Sequence, residues 1–310
     1  MNNWITRIIT AAEKIKTAVR KRATKSEISA SKYISCHGVP TEKKVIEENN
    51  FVCPICQFHH YQTPTQRFDM WFGKNNWKKI DSPKVANPDP YSWEDTKKYI
   101  DRLKDAKKIT GQDNAILSCE AKINNIDVVA SAVNFKWIGG SISMNEGENV
   151  LASVQTAIDK KCPYIFVSAS GGMRMMTNML SLMQMTRMTI AINELKKNNL
   201  PYIVVITSPS TGGLQASISS LGDICVGERG ATMAFAGRRI VQATTKSELP
   251  GNFQKVEWQM EHGALDIVLD RKDILQTIEK LLSILLKKNS DISTEENETS
   301  RRSINTKQAS

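Results

Sequence analysis

The feature that most constrains the fold is a unit of buried strand, Gly-Gly pair and helix that occurs twice. The first unit runs from the apolar segment CPYIFVSAS (162–170) through Gly171-Gly172 into a Met-rich helix. The second runs from PYIVVITSP (201–209) through Gly212-Gly213 into a helix expected over 214–221. Strands that alternate with helices predict an α/β core of βαβ or ββα units. Two copies are too few to indicate a repeat array.

The remaining elements continue this alternation. Predicted strands cover 115–121, 126–135, 224–228, 231–237 and 263–270, and predicted helices cover 94–108, 151–160, 238–246 and 273–286. Apolar residues make up 40% and charged residues 24% of the 310 residues, so a sizeable core is expected. No run approaches the roughly 18 consecutive apolar residues of a membrane-spanning helix, and no membrane span is expected.

The Gly-Gly pairs are the first candidate functional feature. Glycine lets the backbone approach a ligand closely, and the first amides of a helix have no internal acceptor. The helix macrodipole adds partial positive charge at the same place. The sequence therefore predicts backbone donors for an oxyanion or a phosphate. The four predicted donors are Gly171, Gly172, Gly212 and Gly213. The alternative interpretation is that the glycines only permit tight turns.

Side chains of the usual catalytic types are scarce. None of the four histidines accompanies a G-x-S-x-G motif, and neither a P-loop nor a G-x-G-x-x-G motif is present. An enzyme of this composition depends on backbone donors, which suit an enolate or a tetrahedral anion.

The net charge of +10 favours polyanionic partners such as nucleic acid, anionic lipid or coenzyme A. Most of the surplus falls in residues 1–50 and 74–108, outside the units with Gly-Gly pairs. It therefore indicates solubility, docking of acidic partners or incidental affinity for nucleic acid, rather than catalysis. The six cysteines do not form a disulfide framework, which favours a reducing cytosol.

Several longer motifs resemble one family over residues 1–288. They are NWITRI (3–8), DRLKDAKKITGQDNAIL (101–117), IGGSISMNEGE (138–148), SASGGMRM (168–175), SLMQM (181–185), STGGLQASISSLGDICVGE (210–228), AFAGRRIVQAT (234–244) and LPGNFQKVEWQMEHGALDIVLDR (249–271). The chain thereby resembles the β subunit of bacterial-type acetyl-CoA carboxylase carboxyltransferase.

The resemblance implies a crotonase-like (ClpP/crotonase) fold, a superhelix of ββα units. It also implies an obligatory α subunit in a heterotetramer of two α and two β subunits, acting with biotin carboxylase and the biotin carboxyl carrier protein. The implied reaction moves a carboxyl group from carrier-bound carboxybiotin to acetyl-CoA, giving malonyl-CoA for fatty-acid synthesis. Decarboxylated biotin would be the base, which fits the lack of a catalytic triad.

The resemblance also implies roles for individual residues. The pairs Gly171-Gly172 and Gly212-Gly213 become the oxyanion and thioester-binding loops. The implied contacts to acyl-CoA are Gly139, Gly140, Arg174 and Arg239. Two positions depart from the family pattern, which usually has glutamate at Thr177 and proline at Arg238. We expect altered packing there rather than loss of chemistry.

The family further implies a zinc ribbon made of two C-x2-C knuckles, which together hold one tetrahedral ion. Only the second knuckle, Cys53-Pro-Ile-Cys56, is complete in this chain. At the family spacing the first knuckle falls on Ile34 and His37, and isoleucine cannot bind zinc. The candidate ligands are Cys36, His37, Cys53 and Cys56, with His59 and His60 as alternatives for the fourth position. The other interpretation is a degenerate ribbon held by packing alone.

Four segments are expected along the chain: a basic amphipathic helix (1–28), a zinc-ribbon-like module (29–62), a carboxyltransferase domain (63–288) and a disordered tail (289–310). The acids Glu13 and Glu27 argue against a transit peptide in the first segment. A cytoplasmic protein is therefore expected, with the plastid stroma as the alternative.

Two other functions compete with the carboxyltransferase interpretation. One is another crotonase-fold acyl-CoA carboxyltransferase or decarboxylase subunit, which would differ in its acyl pocket and its partner. The other is a basic, ribbon-bearing nucleic-acid-binding protein, which would bind nucleic acid in a salt-sensitive way. Aromatic residues make up only 6% of the chain, whereas a dedicated nucleic-acid surface interleaves aromatic and base-reading side chains.

Overall fold

The computed structural model describes residues 32–286, which form two compact units with the boundary between His60 and Tyr61. The predicted N-terminal helix (1–28) and the predicted tail (289–310) lie outside the described residues. No described helix is both long and apolar enough to cross a bilayer.

The first unit contains a short hairpin. Strands β1 (Tyr33–Cys36) and β2 (Val39–Glu42) pair antiparallel, and helix α1 (Lys43–Glu48) follows directly. The two residues of the turn, His37 and Gly38, both have positive φ angles, of 49° and 84°. Such a pair is the usual connection of a two-residue hairpin, because its twist matches that of the strands. The turn places Cys36 and His37 at one end of the hairpin.

The second unit is an α/β domain. Its elements, in chain order, are α2 (Pro64–Phe72), β3 (Lys78–Lys79), α3 (Tyr99–Thr110), β4 (Ile116–Ile123), β5 (Ile126–Val133), α4 (Met144–Asp159), β6 (Tyr164–Ser170), α5 (Asn178–Lys197), β7 (Tyr202–Thr211), α6 (Gly212–Gln215), β8 (Ile224–Glu228), β9 (Met233–Ala234), α7 (Arg238–Thr245), α8 (Val256–Glu261), β10 (Ile267–Leu269) and α9 (Arg271–Leu285).

One eight-stranded sheet organises this unit, in the order β10-β8-β7-β6-β5-β4-β3, with β9 pairing separately with β7. The strands β5, β6, β7, β8 and β10 are mutually parallel, whereas β3, β4 and β5 pair antiparallel. The hairpin β4–β5 followed by α4 forms a ββα unit. Because β6 and β7 are parallel neighbours, their carboxyl ends lie at the same edge of the sheet, and so do the two Gly-Gly loops.

Helices cover both faces of the sheet, so its central strands are apolar on both sides. Phe166 of β6 packs in one core with Val154 of α4 and Met188 of α5. Ile165 of the same strand packs in the other core with residues of α2 and α9, such as Ile278. Every residue of β6 is buried. The sheet therefore holds the ends of β6 and β7 in a rigid layer.

Local sequence signals explain where several helices begin. Helix α2 starts with a reciprocal capping box between Thr63 and Gln66, and α4 starts with one between Ser143 and Glu146. The predicted start of α4 at residue 151 is therefore wrong by seven residues, because Glu146 caps the helix from inside its first turn.

Three further predictions of helix boundaries are wrong. The helix predicted over 94–108 is α3, which begins only at Tyr99 and continues to Thr110. The helix after Gly171-Gly172 begins only at Asn178, because Met173 forms a parallel backbone bridge with Ile142 and Met175–Thr177 form a 3-10 turn. The helix expected over 214–221 is a four-residue turn, α6, followed by the 3-10 turn Ile218–Ser220.

Candidate functional site

The first Gly-Gly loop leaves the end of β6 and is hydrogen-bonded along the loop of Gly139 and Gly140. The N–H of Gly171 donates to the carbonyl of Gly139 at 2.9 Å. The N–H of Gly172 donates to Oγ of Ser170 at 2.9 Å, and that hydroxyl donates to the carbonyl of Gly140 at 2.7 Å. Both predicted donors of this loop are therefore occupied inside the protein.

The two Gly-Gly loops meet backbone to backbone. A Cβ atom on Gly172 would lie 3.2 Å from both Cα of Gly212 and N of Gly213. A Cβ atom on Gly212 would lie 2.9 Å from Cα of Gly172. Only glycine allows this approach. The sequence analysis predicted a close approach to a ligand at these glycines, whereas the structure shows that each pair also closely approaches the other.

The second loop retains one unoccupied donor. The N–H of Gly212 donates to the carbonyl of Phe235 at 2.9 Å. The N–H of Gly213 has no acceptor among residues 32–286. The prediction of four glycine donors is therefore corrected: the amides of Gly171, Gly172 and Gly212 are committed to internal acceptors, and that of Gly213 is available.

Sequence reasoning missed a second available donor, the N–H of Met173. The carbonyl of Gly172 accepts from the N–H of Ile142 at 3.0 Å. In a trans peptide the C=O and the N–H point in opposite directions, so the N–H of Met173 points away from Ile142. It has no acceptor in the described part of the chain. A backbone donor has no side-chain signature, so nothing in the sequence singled out this methionine.

The predicted contribution of helix dipoles is also corrected. Gly213 lies in α6, which has only four residues, and α5 begins five residues after Met173. The macrodipole is the sum of many aligned peptide dipoles, and one turn contributes little. The available amides therefore act as individual backbone donors.

Arg174, a predicted contact to acyl-CoA, is a buried structural residue. Only 3% of its surface is exposed. Its Nη2 contacts Oε1 of Glu146 at 2.7 Å, its Nη1 donates to the hydroxyl of Tyr99 at 3.0 Å, and its Nε donates to Oγ of Ser141 at 3.1 Å. A guanidinium that is enclosed by these partners cannot reach a phosphate outside the core. The substrate-binding prediction for Arg174 is therefore wrong.

The other predicted acyl-CoA contacts differ from one another. Gly140 is buried, and a Cβ atom there would lie 2.3 Å from the carbonyl oxygen of Ala169, so this glycine serves packing. Gly139 borders open space, and no atom lies within 4 Å of the position that a Cβ atom would occupy there. Arg239, on α7, is exposed, and its side chain has no hydrogen bond or ion pair with another described residue. Arg238 instead donates to the carbonyls of Leu249 and Pro250, at 2.6 and 2.7 Å.

Thr177 lies at the centre of a buried hydroxyl cluster. Its Oγ1 is 2.6 Å from Oγ of Ser143, and it also contacts Oγ of Ser181. The hydroxyl of Ser181 donates to the carbonyl of Arg174 at 2.6 Å. Ser143 is the N-cap of α4 and Ser181 is in the first turn of α5, so the cluster joins the starts of both helices next to the first loop.

The next residue, Asn178, has a strained backbone, with φ 45° and ψ −128°. Glycine adopts this region readily, whereas for a residue with a Cβ atom it costs of order 1–3 kcal/mol. We expect Asn178→Gly to raise the melting temperature by about 3 °C. The backbone strain energy that is relieved exceeds the roughly 0.4–1 kcal/mol by which the extra conformational entropy of glycine stabilises the unfolded chain. Calorimetry of the purified chain measures this change.

The matched control is Asn198→Gly at the other end of α5. Asn198 has an ordinary φ of −82°, and its side chain donates to the carbonyl of Glu194 at 2.9 Å. The same substitution there removes a hydrogen bond and relieves no strain, so the melting temperature is expected to fall. An equal change in both variants would contradict the assignment of strain to Asn178.

The first unit contains a cluster of thiols. The Sγ atoms of Cys36, Cys53 and Cys56 lie within 4.8 Å of one another, and those of Cys36 and Cys56 are 3.2 Å apart. The Nδ1 atom of His37 lies 3.4 Å from Sγ of Cys56 and 3.6 Å from Sγ of Cys36. Three soft thiolate ligands and one imidazole are a donor set that suits zinc.

The surroundings of these thiols differ. A backbone hydrogen bond from Cys56 lowers the pKa of Cys53 to about 7. Burial raises the pKa of Cys36 to about 12. Among the described residues, the group of ligand atoms within 4.8 Å of one another contains the three cysteines alone, so His37 borders this group through Cys36 and Cys56. His59 and His60 lie outside the group, and His60 packs edge-on against Phe58. The three thiols therefore fit a metal ion, although Cys36 lies outside the spacing expected for the first knuckle.

Solved structures with a similar fold come from enzymes of carboxyl-group chemistry. A transcarboxylase 12S structure aligns with a TM-score of 0.59 at 18% identity, over 91% of this chain and 48% of that one, so the chain spans about half of its length. A Pseudomonas malonate decarboxylase hetero-dimer aligns with a TM-score of 0.55 at 15% identity, over 78% and 95% of the two chains. The predicted crotonase-like α/β fold is thereby confirmed.

The family model described as the carboxyl transferase domain matches residues 99–308, a range that includes both Gly-Gly loops. Fold and matched domain together define a carboxyl transferase protein. Among curated relatives, an acetyl-coenzyme A carboxylase carboxyl transferase subunit beta from Pelagibacter ubique is 49% identical over 96% of both chains. One of the same description from Bartonella quintana is 40% identical over 92% of both. This chain belongs to the family of acetyl-coenzyme A carboxylase carboxyl transferase beta subunits, as the motifs predicted.

Proposed function

We propose that the chain is the β subunit of an acetyl-CoA carboxylase carboxyltransferase and transfers a carboxyl group from carboxybiotin to acetyl-CoA, giving malonyl-CoA for fatty-acid synthesis. The observation that carries the proposal is the identity of 49% over 96% of the chain to a relative of that description. The two adjoining glycine loops supply backbone donors of the kind that this chemistry needs.

The N–H groups of Met173 and Gly213 are the proposed donors to the thioester oxygen of the acetyl group. Loss of a methyl proton places negative charge on that oxygen, and fixed donors stabilise the enolate as the charge develops. Carrier-bound carboxybiotin is the second substrate and supplies the carboxyl group. Gly139 and Arg239 remain the proposed contacts to acyl-CoA, since Gly139 borders open space and Arg239 is an exposed cation without a partner among the described residues.

An α subunit is the proposed partner, in a heterotetramer of two α and two β subunits. An apolar surface beside the first loop supports this partner. Met179, Leu182 and Met183 of α5 are 58%, 49% and 52% exposed, and Met175 just before the helix is 76% exposed. Contiguous apolar side chains on a protein surface usually mark an interface. The biotin carboxyl carrier protein and biotin carboxylase complete the proposed set of partners.

Zinc is the proposed metal, held by Cys36, Cys53 and Cys56 with His37 as the fourth ligand. Bound zinc would supply structure rather than chemistry, because four protein ligands close the coordination sphere. The six cysteines are all free thiols, which supports the cytoplasm as the proposed location.

Reconstitution tests the proposed function. The chain is mixed with a carboxyltransferase α subunit, carboxylated biotin carrier protein and acetyl-CoA, and malonyl-CoA is measured by mass spectrometry. We expect product only when all components are present. A folded complex that makes no malonyl-CoA would refute the carboxyltransferase assignment. Release of carbon dioxide from malonyl-CoA without biotin would instead identify a decarboxylase subunit.

A further inference from the structure

A buried ion pair lies directly behind the first Gly-Gly loop. Glu146 is completely buried and Arg174 is 3% exposed. Oε1 of Glu146 accepts from Nη2 of Arg174 at 2.7 Å and from the N–H of Ala115 at 3.0 Å, and Oε2 accepts from the N–H of Ser143 at 2.9 Å. The carboxylate therefore joins the start of β4, the start of α4 and the first loop through one side chain.

Tyr99 supplies a third member of this group. Its side chain is 1% exposed, and its hydroxyl accepts from Nη1 of Arg174 at 3.0 Å. Tyr99 is the first residue of α3, so the hydroxyl connects that helix to the same guanidinium. Arg174 also donates to the carbonyl and the Oγ of Ser141. The guanidinium is thereby held from three directions in one orientation.

This group controls the peptide that carries an available donor. The N–H of Arg174 donates to the carbonyl of Ile142 at 2.8 Å, and the N–H of Ile142 donates to the carbonyl of Gly172 at 3.0 Å. Because Arg174 also binds Ser141 through its side chain, backbone and side chain together fix residues 141–142 against residues 172–174. The orientation of the Gly172–Met173 peptide, and hence of the N–H of Met173, depends on this attachment.

We propose that Glu146 and Tyr99 are positioning residues, which act through Arg174 to hold the N–H of Met173 in the direction that stabilises the enolate oxygen. This inference rests on the proposed function. A backbone donor loses most of its effect when it is misaligned by a fraction of an ångström, because catalysis depends on pre-organised geometry. Both side chains are buried, so the proposed role is exerted through Arg174 and not by contact with the acyl group.

A second buried ion pair provides a matched control. Glu228 of β8 is 3% exposed, and its carboxylate lies 2.7 Å from Nη2 of Arg67 and also contacts Arg271. It resembles Glu146 in burial and charge, but its partners lie on α2 and α9 instead of on the loops. Glu228→Gln and Glu146→Gln both remove a buried charge. Only Glu146→Gln affects the contacts that hold residues 172–174 of the first loop against residues 141–142.

The experiment compares Glu146→Gln, Glu228→Gln and Tyr99→Phe, each as the full chain with the α subunit. We expect Glu146→Gln to lower kcat for malonyl-CoA formation about tenfold or more and to leave KM for acetyl-CoA within about twofold. Tyr99→Phe removes one hydroxyl only, and we expect a smaller fall in kcat of about threefold. Glu228→Gln is expected to lower the melting temperature and to leave kcat within about twofold.

Hydrogen exchange of the chain alone provides a readout that does not depend on activity. The amides of Ile142 and Arg174 are expected to exchange faster in Glu146→Gln than in the wild type, and at the wild-type rate in Glu228→Gln. Unchanged exchange together with unchanged kcat in Glu146→Gln and Tyr99→Phe would overturn the proposal. If Glu146→Gln does not fold, Tyr99→Phe decides by the same two measurements. An inactive wild-type complex would refute the proposed function. The exchange rates would still show whether Glu146 and Tyr99 hold the first loop in place.

Discussion

Replacement of Gly172 by alanine is expected to lower malonyl-CoA formation by about two orders of magnitude. Gly172 has a φ of 114°, a conformation that residues with a side chain rarely adopt. The new methyl group would also lie 3.2 Å from Cα of Gly212 and from N of Gly213, both of them backbone atoms that cannot rotate away. The two loops would have to separate, which moves the N–H of Met173 relative to that of Gly213.

The measurement is kcat of the variant in complex with the α subunit, together with the melting temperature. Gly171→Ala is the graded comparison, because a methyl group there would meet only the carbonyl oxygen of Gly139, at 3.4 Å. We expect it to cost much less activity. Gly251→Ala, at an open surface position, is expected to have no effect. Full activity of Gly172→Ala would show that contact between the loops is not needed for turnover.

The second large effect is expected on removal of the metal. Cys53→Ser is predicted to eliminate about one equivalent of bound zinc, because a tetrahedral site with three remaining ligands binds far more weakly. Structural zinc contributes on the order of 10 kcal/mol to the folding of small metal modules. Residues 32–60 form only a short hairpin and one short helix, so we expect this unit to lose its protection from hydrogen exchange.

Metal analysis by mass spectrometry and hydrogen exchange of residues 32–60 measure the two effects. Cys225→Ser is the control, because Cys225 is a buried thiol of β8 outside the cluster. His37→Ala tests whether His37 is the fourth ligand or only lies beside the site. The affinity for zinc is expected to fall only if the imidazole binds the ion. A wild-type chain that binds no zinc and keeps residues 32–60 protected would support a ribbon held by packing alone.

The order of strands and helices in the second unit was predictable from the sequence. Continuous apolar runs such as 164–170 cannot be exposed on either face, so they require a sheet that is covered on both sides. The sequence placed each Gly-Gly pair directly after a buried strand, and the parallel pairing of β6 with β7 then sets 171–172 and 212–213 at one edge. Parallel strands in adjacent positions have their carboxyl ends at the same edge, whatever contacts their side chains make.

The identity of the donors was not predictable in the same way. Which amide is available depends on the acceptor that each neighbouring amide finds, and those acceptors, such as the carbonyls of Gly139 and Phe235, lie far away in the sequence. Arg174 illustrates a second limit. From the sequence, an arginine beside a glycine loop is predicted to bind phosphate. The positions of Glu146 and Tyr99 are needed to show that it is buried in an ion pair. Burial of a charged residue is a property of the tertiary structure, and its partner is 28 positions away.

The two edges of the large sheet are both very short. At one end β3 consists of Lys78 and Lys79 alone, and at the other β10 spans only Ile267–Leu269. An open edge with many unpaired amides and carbonyls invites another chain to add a strand, and short or lysine-bearing edges suppress this addition. Copies of this protein are therefore poorly suited to polymerise through their main chains. Met179 and Met183 are exposed on a helix rather than on a sheet edge, so a partner that covers them would pack against helical side chains and would not extend the sheet.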